Sequence, residues 1–133
     1  MYTLKEACQL TDLTEHTIRF YTDKGLVPNL KRDKNNHRVF DEQSIDWLKG
    51  TKYLRELGMS IEEIKQYHAL CLIDGDDAVK DRYALILENL NKALKELDNA
   101  KKRVEFLKKK AMHEKQIIEH NILDSKNPHK KSY

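Results

Sequence analysis

Residues 17–28 read TIRFYTDKGLVP. This stretch places an arginine and two aromatic side chains on a short segment that ends at Gly25, a residue suited to the left-handed position after a helix. Pro28 prevents the helix from resuming, because it lacks a backbone N–H. A helix end with both basic and aromatic side chains belongs either to the core or to a surface that contacts a negatively charged partner.

Two short helices are predicted around this stretch. Thr3 and Glu6 form a capping box, so a first helix begins just after Thr3 and is broken at Asp12. Thr14 stands at the N-cap of a second helix that runs to Lys24. Because only three or four residues join the two, the pattern is typical of a helix-turn-helix.

A β-hairpin and two further helices are predicted next. Residues 27–40 read VPNLKRDKNNHRVF. The adjacent Asn35 and Asn36 tolerate positive φ, and the stretch ends in an alternating segment, which favours a small hairpin, or wing. Asp41 caps a third helix that continues to about Leu57. Ser60 and Glu63 form a second capping box, which predicts a fourth helix to about Leu72.

A long helix is predicted from about residue 78 to about residue 120, where the sequence has neither proline nor glycine. At about 1.5 Å per residue it would span roughly 65 Å, more than a small domain covers, so it requires a partner helix. Its apolar residues keep a spacing of three and four, weakened further along by Lys101, Lys108 and Lys115. The residues predicted to form the seam are Leu87, Leu90, Leu94, Leu97, Val104, Leu107, Ala111 and Ile118.

The charges are unevenly distributed along the 133 residues, although the net charge is only +3. Residues 17–40 carry six basic and two acidic side chains, which favours an anionic partner for this part of the chain. No segment is apolar and long enough to cross a membrane, so a cytoplasmic protein is expected. The two cysteines, Cys8 and Cys71, form no disulfide framework or zinc motif, and no metal or cofactor is predicted.

The order of these parts resembles the MerR family of bacterial transcription regulators. The matching words are YTLKEACQLTDLTEHTIRFYTDKGL, RDKNNHRVFDEQSI and YLRELGMSIEEIK, which lie within residues 2–67. The resemblance is closest to short members that include aldehyde and thiol-stress regulators. It implies a mainly α fold with a winged helix-turn-helix DNA-binding domain at 1–73, an antiparallel coiled-coil dimerisation helix at 74–121 and a flexible polar tail at 122–133.

The resemblance also implies which residues contact DNA. Residues 14–24 become the recognition helix, whose start faces base edges in the major groove. Arg19 and Tyr21 match a phosphate clamp, whereas Phe20 and His37 depart from the tyrosines usual in the family. The full set is Thr14, Glu15, His16, Thr17, Arg19, Phe20, Tyr21, Asn36, His37, Arg38 and Arg55.

The effector cannot be read in the same way. The thiol and aldehyde sensors carry a cysteine in the third helix, where this chain has Tyr53, and no cysteine follows Cys71. Core packing explains Cys8, and the acidic turn after Cys71 disfavours its thiolate. The candidate effector residues are Cys71, Tyr67, His68 and Tyr83.

The function implied is a homodimer that reads a palindromic promoter element and distorts the double-stranded DNA in response to an effector or stress, acting on RNA polymerase indirectly. Two alternatives stay open: a coiled-coil scaffold protein, and an excisionase-like architectural DNA-binding protein. The scaffold leaves the basic residues 17–40 unexplained, and excisionase-like proteins often lack a long coil. No nucleophile–base pair or phosphate loop appears, so enzymatic activity is not expected.

Overall fold

The computed structural model describes residues 1–126 and divides the chain into two compact units, Met1–Asn89 and Leu90–Tyr133. The predicted tail therefore lies partly outside the described residues. The elements in chain order are β1 (Tyr2–Thr3), α1 (Leu4–Thr11), α2 (Glu15–Asp23), β2 (Lys31–Arg32), β3 (Arg38–Phe40), α3 (Glu42–Glu56), α4 (Ile61–Cys71) and α5 (Asp76–Ile118).

Helices α1 and α2 begin and end where the capping residues predict. The hydroxyl of Thr3 accepts a hydrogen bond from the Glu6 amide, and the Glu6 carboxylate accepts one from the Thr3 amide. Asp12 ends α1 in the left-handed region at a φ of 56°. Gly25, at a φ of 76°, turns the chain after α2, so the predicted helix-turn-helix is confirmed.

A three-stranded antiparallel sheet in the order β1-β3-β2 contains the wing. Strand β2 pairs with β3 as predicted, with Arg32 opposite Arg38. The short strand β1 was not predicted, and it places Tyr2 opposite Phe40 on the other edge of β3. The sheet thereby ties the wing to the start of the chain.

Helices α3 and α4 continue the first unit. Asp41 caps α3 by accepting from the Ser44 amide, and Ser60 with Glu63 closes the capping box of α4. Side chains from α2, β3, α3 and α4 meet in one core, whose largest fully buried members are Phe40, Ile18, Leu26, Leu48, Met59 and Ile64. This core fixes the position of α2 relative to the wing.

Helix α5 extends over 43 residues, as the sequence predicts. In its first turns Arg82 donates to the Leu70 carbonyl at 3.3 Å, and Asn89 donates to the Glu63 carboxylate at 2.7 Å. The residues of the predicted seam are exposed along the helix; the side chain of Leu97 is 53% exposed. No helix within residues 1–126 combines the length and apolarity that a membrane span requires.

Candidate nucleic-acid interface

Helix α2 has a buried face and an exposed face. Ile18 and Tyr21 point into the core, whereas Glu15, His16 and Arg19 are exposed. Thr14 caps the helix by accepting from the Thr17 amide at 3.1 Å, and its hydroxyl donates to the Thr17 hydroxyl at 2.9 Å. The two threonines predicted to meet DNA are therefore engaged with each other, and the charged and imidazole side chains next to them are open.

Arg19 projects from the exposed face of α2. A guanidinium nitrogen lies 3.5 Å from a Glu15 carboxylate oxygen, one turn earlier, and both side chains are about half exposed. Exposed ion pairs of this kind contribute little, typically about 0.2–1 kcal/mol. Arg19 can therefore exchange Glu15 for a phosphate at small cost.

The two rings after Arg19 lie in different environments. Phe20 is 40% exposed, with the Lys24 ammonium 5.7 Å from its ring centroid. Tyr21 is only 7% exposed and belongs to the core. Its hydroxyl makes no hydrogen bond within residues 1–126, and the hydroxyl oxygen is accessible to solvent. The ring thus packs, and the hydroxyl is left to donate to an outside acceptor.

The wing loop is built on Asp33. One of its carboxylate oxygens accepts from the amides of Asn35 and His37, each at 2.9 Å, and Asn36 adopts a φ of 62°. The backbone hydrogen bond from His37 lowers the pKa of Asp33 below its usual value. The His37 imidazole is exposed and lies 3.6 Å from the same carboxyl group. The asparagine therefore serves the left-handed turn, as predicted.

Arg38 joins the wing to α2. Its Nε donates to the Thr22 hydroxyl at 3.0 Å and its Nη2 donates to Asp23 at 2.8 Å. The side chain is 19% exposed, so the guanidinium is largely committed to these contacts. In the free protein Arg38 sets the position of the wing against the C-terminal end of α2.

One groove brings the helix and the wing together. Its volume is about 380 Å³, and its charged lining comprises Lys5 of α1, Glu15 and Arg19 of α2, and Asp33 and Arg38 of the wing. Asn36 and His37 also line it. Lys5 was not predicted from the sequence, nor were Thr22 and Asp23 as partners of Arg38, because these contacts join residues that are distant along the chain.

Arg55 lies apart from the groove lining, in the last turn of α3. Its Nη1 donates to the Met59 carbonyl at 2.9 Å, which fastens the connection between α3 and α4. The residue remains exposed. Its predicted contact with DNA stays a prediction.

Three of the four candidate effector residues meet between α3 and α4. Tyr67, His68 and Cys71 line one cavity, whereas Tyr83 lies on α5 and does not. Burial lowers the pKa of His68, whose Nδ1 is 3.2 Å from the Leu26 carbonyl oxygen. Burial raises the pKa of the Cys8 thiol, in agreement with a packing role. No group of three metal-binding side chains occurs within residues 1–126.

Comparison with known proteins identifies the family. Residues 2–70 match the MerR HTH family of regulatory proteins. An uncharacterized HTH-type transcriptional regulator of Haemophilus influenzae is 37% identical over 94 residues, which cover 71% of this chain and 68% of that protein. A mercuric resistance operon regulatory protein of Bacillus cereus is 27% identical over 128 residues, covering 93% of this chain and 96% of that protein.

A solved structure resembles the chain over most of its length. HiNmlR, a MerR family regulator that lacks the sensor domain and was crystallised bound to promoter DNA, superimposes with a TM-score of 0.64 and 28% identity. The match covers 87% of this chain and 91% of HiNmlR. The chain described here belongs to the MerR family and is a transcription regulator.

Proposed function

We propose that this regulator binds double-stranded promoter DNA as a homodimer, with the start of α2 in the major groove and the wing against the flanking backbone. The observation that carries the proposal is the shared groove, where Lys5, Arg19 and Arg38 come from three separate elements and converge on one surface. Cations that come from a helix and a hairpin and share one surface can contact the phosphates that flank a major groove.

The groove residues have different roles in this proposal. Arg19 leaves its weak pair with Glu15 and binds a phosphate with its guanidinium fork. The Tyr21 hydroxyl donates to a second phosphate from a ring that the core holds in place. Glu15 and His16, exposed at the start of α2, reach base edges, and Arg38 positions the wing.

The exposed seam of α5 supports the homodimer. Leu90, Leu94 and Leu97 follow each other at helical spacing on the second unit, and each is about half exposed. Apolar residues repeated in this way are stabilised by burial against a second helix. Two copies of the chain then present two DNA-binding domains, which favours a palindromic operator.

Regulation follows from distortion of the promoter in response to an effector or stress. Bending a DNA site long enough for two DNA-binding domains costs on the order of 1–6 kcal/mol. The DNA contacts of the two domains can supply this energy. RNA polymerase would respond to the altered DNA rather than to a direct contact. The functional parts would be the DNA-binding domain at 1–73 and the coil at 74–121, in a cytoplasmic protein.

The test measures duplex binding as a function of salt with DNA taken from upstream of the coding sequence. We expect tight binding whose logarithm falls linearly with the logarithm of salt concentration. The variant Arg19→Ala should weaken binding to every duplex and reduce the slope by about one for each copy.

Arg103→Ala provides the matched control, since Arg103 is an exposed arginine of α5 outside the groove. It should bind like the parent protein. If the two variants behave alike, or if the parent protein ignores every duplex at low salt, the groove is not the DNA-binding surface.

A further inference from the structure

A cavity of about 390 Å³ lies between α3 and α4, away from the DNA-facing groove. It is formed entirely by the unit Met1–Asn89. Binding sites for small molecules commonly have volumes of about 300–1,000 Å³. The cavity is therefore large enough for a small organic molecule.

Three aromatic side chains contribute to the lining, namely Trp47, Tyr53 and Tyr67. Trp47 and Tyr67 pack partly against the core, and the Trp47 ring lies 4.7 Å from the His68 ring. Tyr53 is 60% exposed and contributes nothing to the core. The fold does not require an exposed tyrosine at this position, and the ring is available to a ligand.

The charge among the described residues that line the cavity is negative. Asp46 supplies a carboxylate, and no lysine or arginine is found among the described residues that line the cavity. His68 directs its Nδ1 to the Leu26 carbonyl oxygen at 3.2 Å and belongs to the core side of the wall. An anionic ligand would meet no cationic partner here, whereas a cation would meet a carboxylate.

We propose that this cavity binds a lipophilic organic cation, such as a quaternary ammonium group that carries an aromatic or short alkyl substituent. Aromatic faces attract cations through the quadrupole of the ring, and an adjacent carboxylate adds a charge of opposite sign. The apolar substituent is removed from water against Trp47 and Tyr67. The site deepens the proposed function by giving it an effector class, but its occupancy is measured without DNA.

Gly50 supports the same interpretation, because it forms part of the wall within a helix. Glycine inside a helix is unfavourable compared with other residues. A Cβ at this position would meet only the His68 Nε2, at an ordinary 3.9 Å, so the core does not exclude a side chain. The absence of a side chain leaves the cavity open at its wall.

The experiment uses the fluorescence of Trp47, the single tryptophan of the chain. Phenyltrimethylammonium is titrated into the intact protein, with its neutral isostere tert-butylbenzene in a parallel titration. We expect a saturable change in Trp47 fluorescence with the cation and a markedly weaker one with the isostere. The variants Asp46→Asn and Tyr53→Ala should each weaken binding by about 2- to 5-fold.

Two further variants test whether the cation binds in this cavity and not elsewhere on the protein. Glu56→Gln removes an exposed carboxylate of α3 that does not line the cavity, and it should leave the affinity unchanged. Gly50→Met should occupy part of the cavity and weaken binding strongly, while the better helix propensity preserves the fold.

Three results would overturn the proposal: no response to millimolar cation, equal responses to cation and isostere, or undiminished binding by folded Gly50→Met. Cation binding is measured without DNA, so a failure to bind duplex DNA would not change this result. The two proposals can therefore fail independently.

Discussion

His68 is a buried imidazole held by one hydrogen bond to the Leu26 carbonyl and one ring contact with Trp47. Burial favours its neutral form and lowers its pKa. The unfolded chain, with an ordinary histidine pKa near 6.5, takes up the proton first as the pH falls. Folding stability is therefore fully present above about pH 6.5 and declines as the pH falls toward the depressed pKa of the folded state.

The residue-scale prediction is that His68→Gln flattens this decline. Glutamine retains an N–H donor for the Leu26 carbonyl but does not titrate, so its stability should change less between pH 7 and pH 5. Urea denaturation at a series of pH values measures the difference. Equal pH dependence in both proteins would mean that His68 does not titrate differently in the folded and unfolded states.

At the scale of elements, the wing depends on one carboxylate. Asp33 accepts from two backbone amides in the hairpin loop, and the pKa of its carboxyl group is lowered by these bonds. Asp33→Ala leaves both amides without their side-chain partner, which should loosen the loop. Hydrogen exchange at the Asn35 and His37 amides measures this, and both should exchange faster.

Asp33→Asn is the matched variant, because its side-chain oxygen still accepts. We expect it to protect both amides nearly as well as aspartate does, and the alanine variant to bind duplex more weakly than the asparagine variant. Slow exchange in Asp33→Ala would show that strand pairing alone holds the wing.

The elements differ in how far the sequence predicts them, and the range of the interactions explains why. Thr3, Thr14, Asp41 and Ser60 each cap a helix through contacts within three residues, so local sequence patterns locate the starts of α1 to α4. Strand β1 has only two residues, and its pairing with Phe40 leaves no periodic pattern.

The candidate site shows the same limit. Exposure of Glu15, His16 and Arg19 follows from the helical period of α2. The Arg38 contacts with Thr22 and Asp23 depend instead on how the wing folds back, which local sequence does not encode. Contact of any of these residues with DNA stays a prediction for the salt titration.

At the scale of the whole molecule, the proposed homodimer depends on the seam of α5. The first half of the seam consists of leucines, whereas Lys101 and Lys108 occupy every second seam position further along the helix. Leu107 lies beside these lysines and is exposed. The leucines should therefore provide most of the association energy, since a fully buried leucine contributes roughly 1.5–3 kcal/mol and each position occurs twice in a symmetric dimer.

Leu97→Glu tests this assignment most directly, because it places a carboxylate at the last leucine before Lys101, at the middle of α5. Loss of two buried leucines and the cost of burying charge should raise the dimer dissociation constant by at least about 100-fold. Phe106→Glu is the control: Phe106 is also exposed and apolar but lies about 180° around the helix from Leu97. Sedimentation should show a dimeric parent and control and a monomeric Leu97→Glu, with duplex affinity reduced only in the monomer. If the parent sediments as a monomer at micromolar concentration, the seam does not pair two copies, and the shared groove of α2 and the wing would have to bind DNA alone.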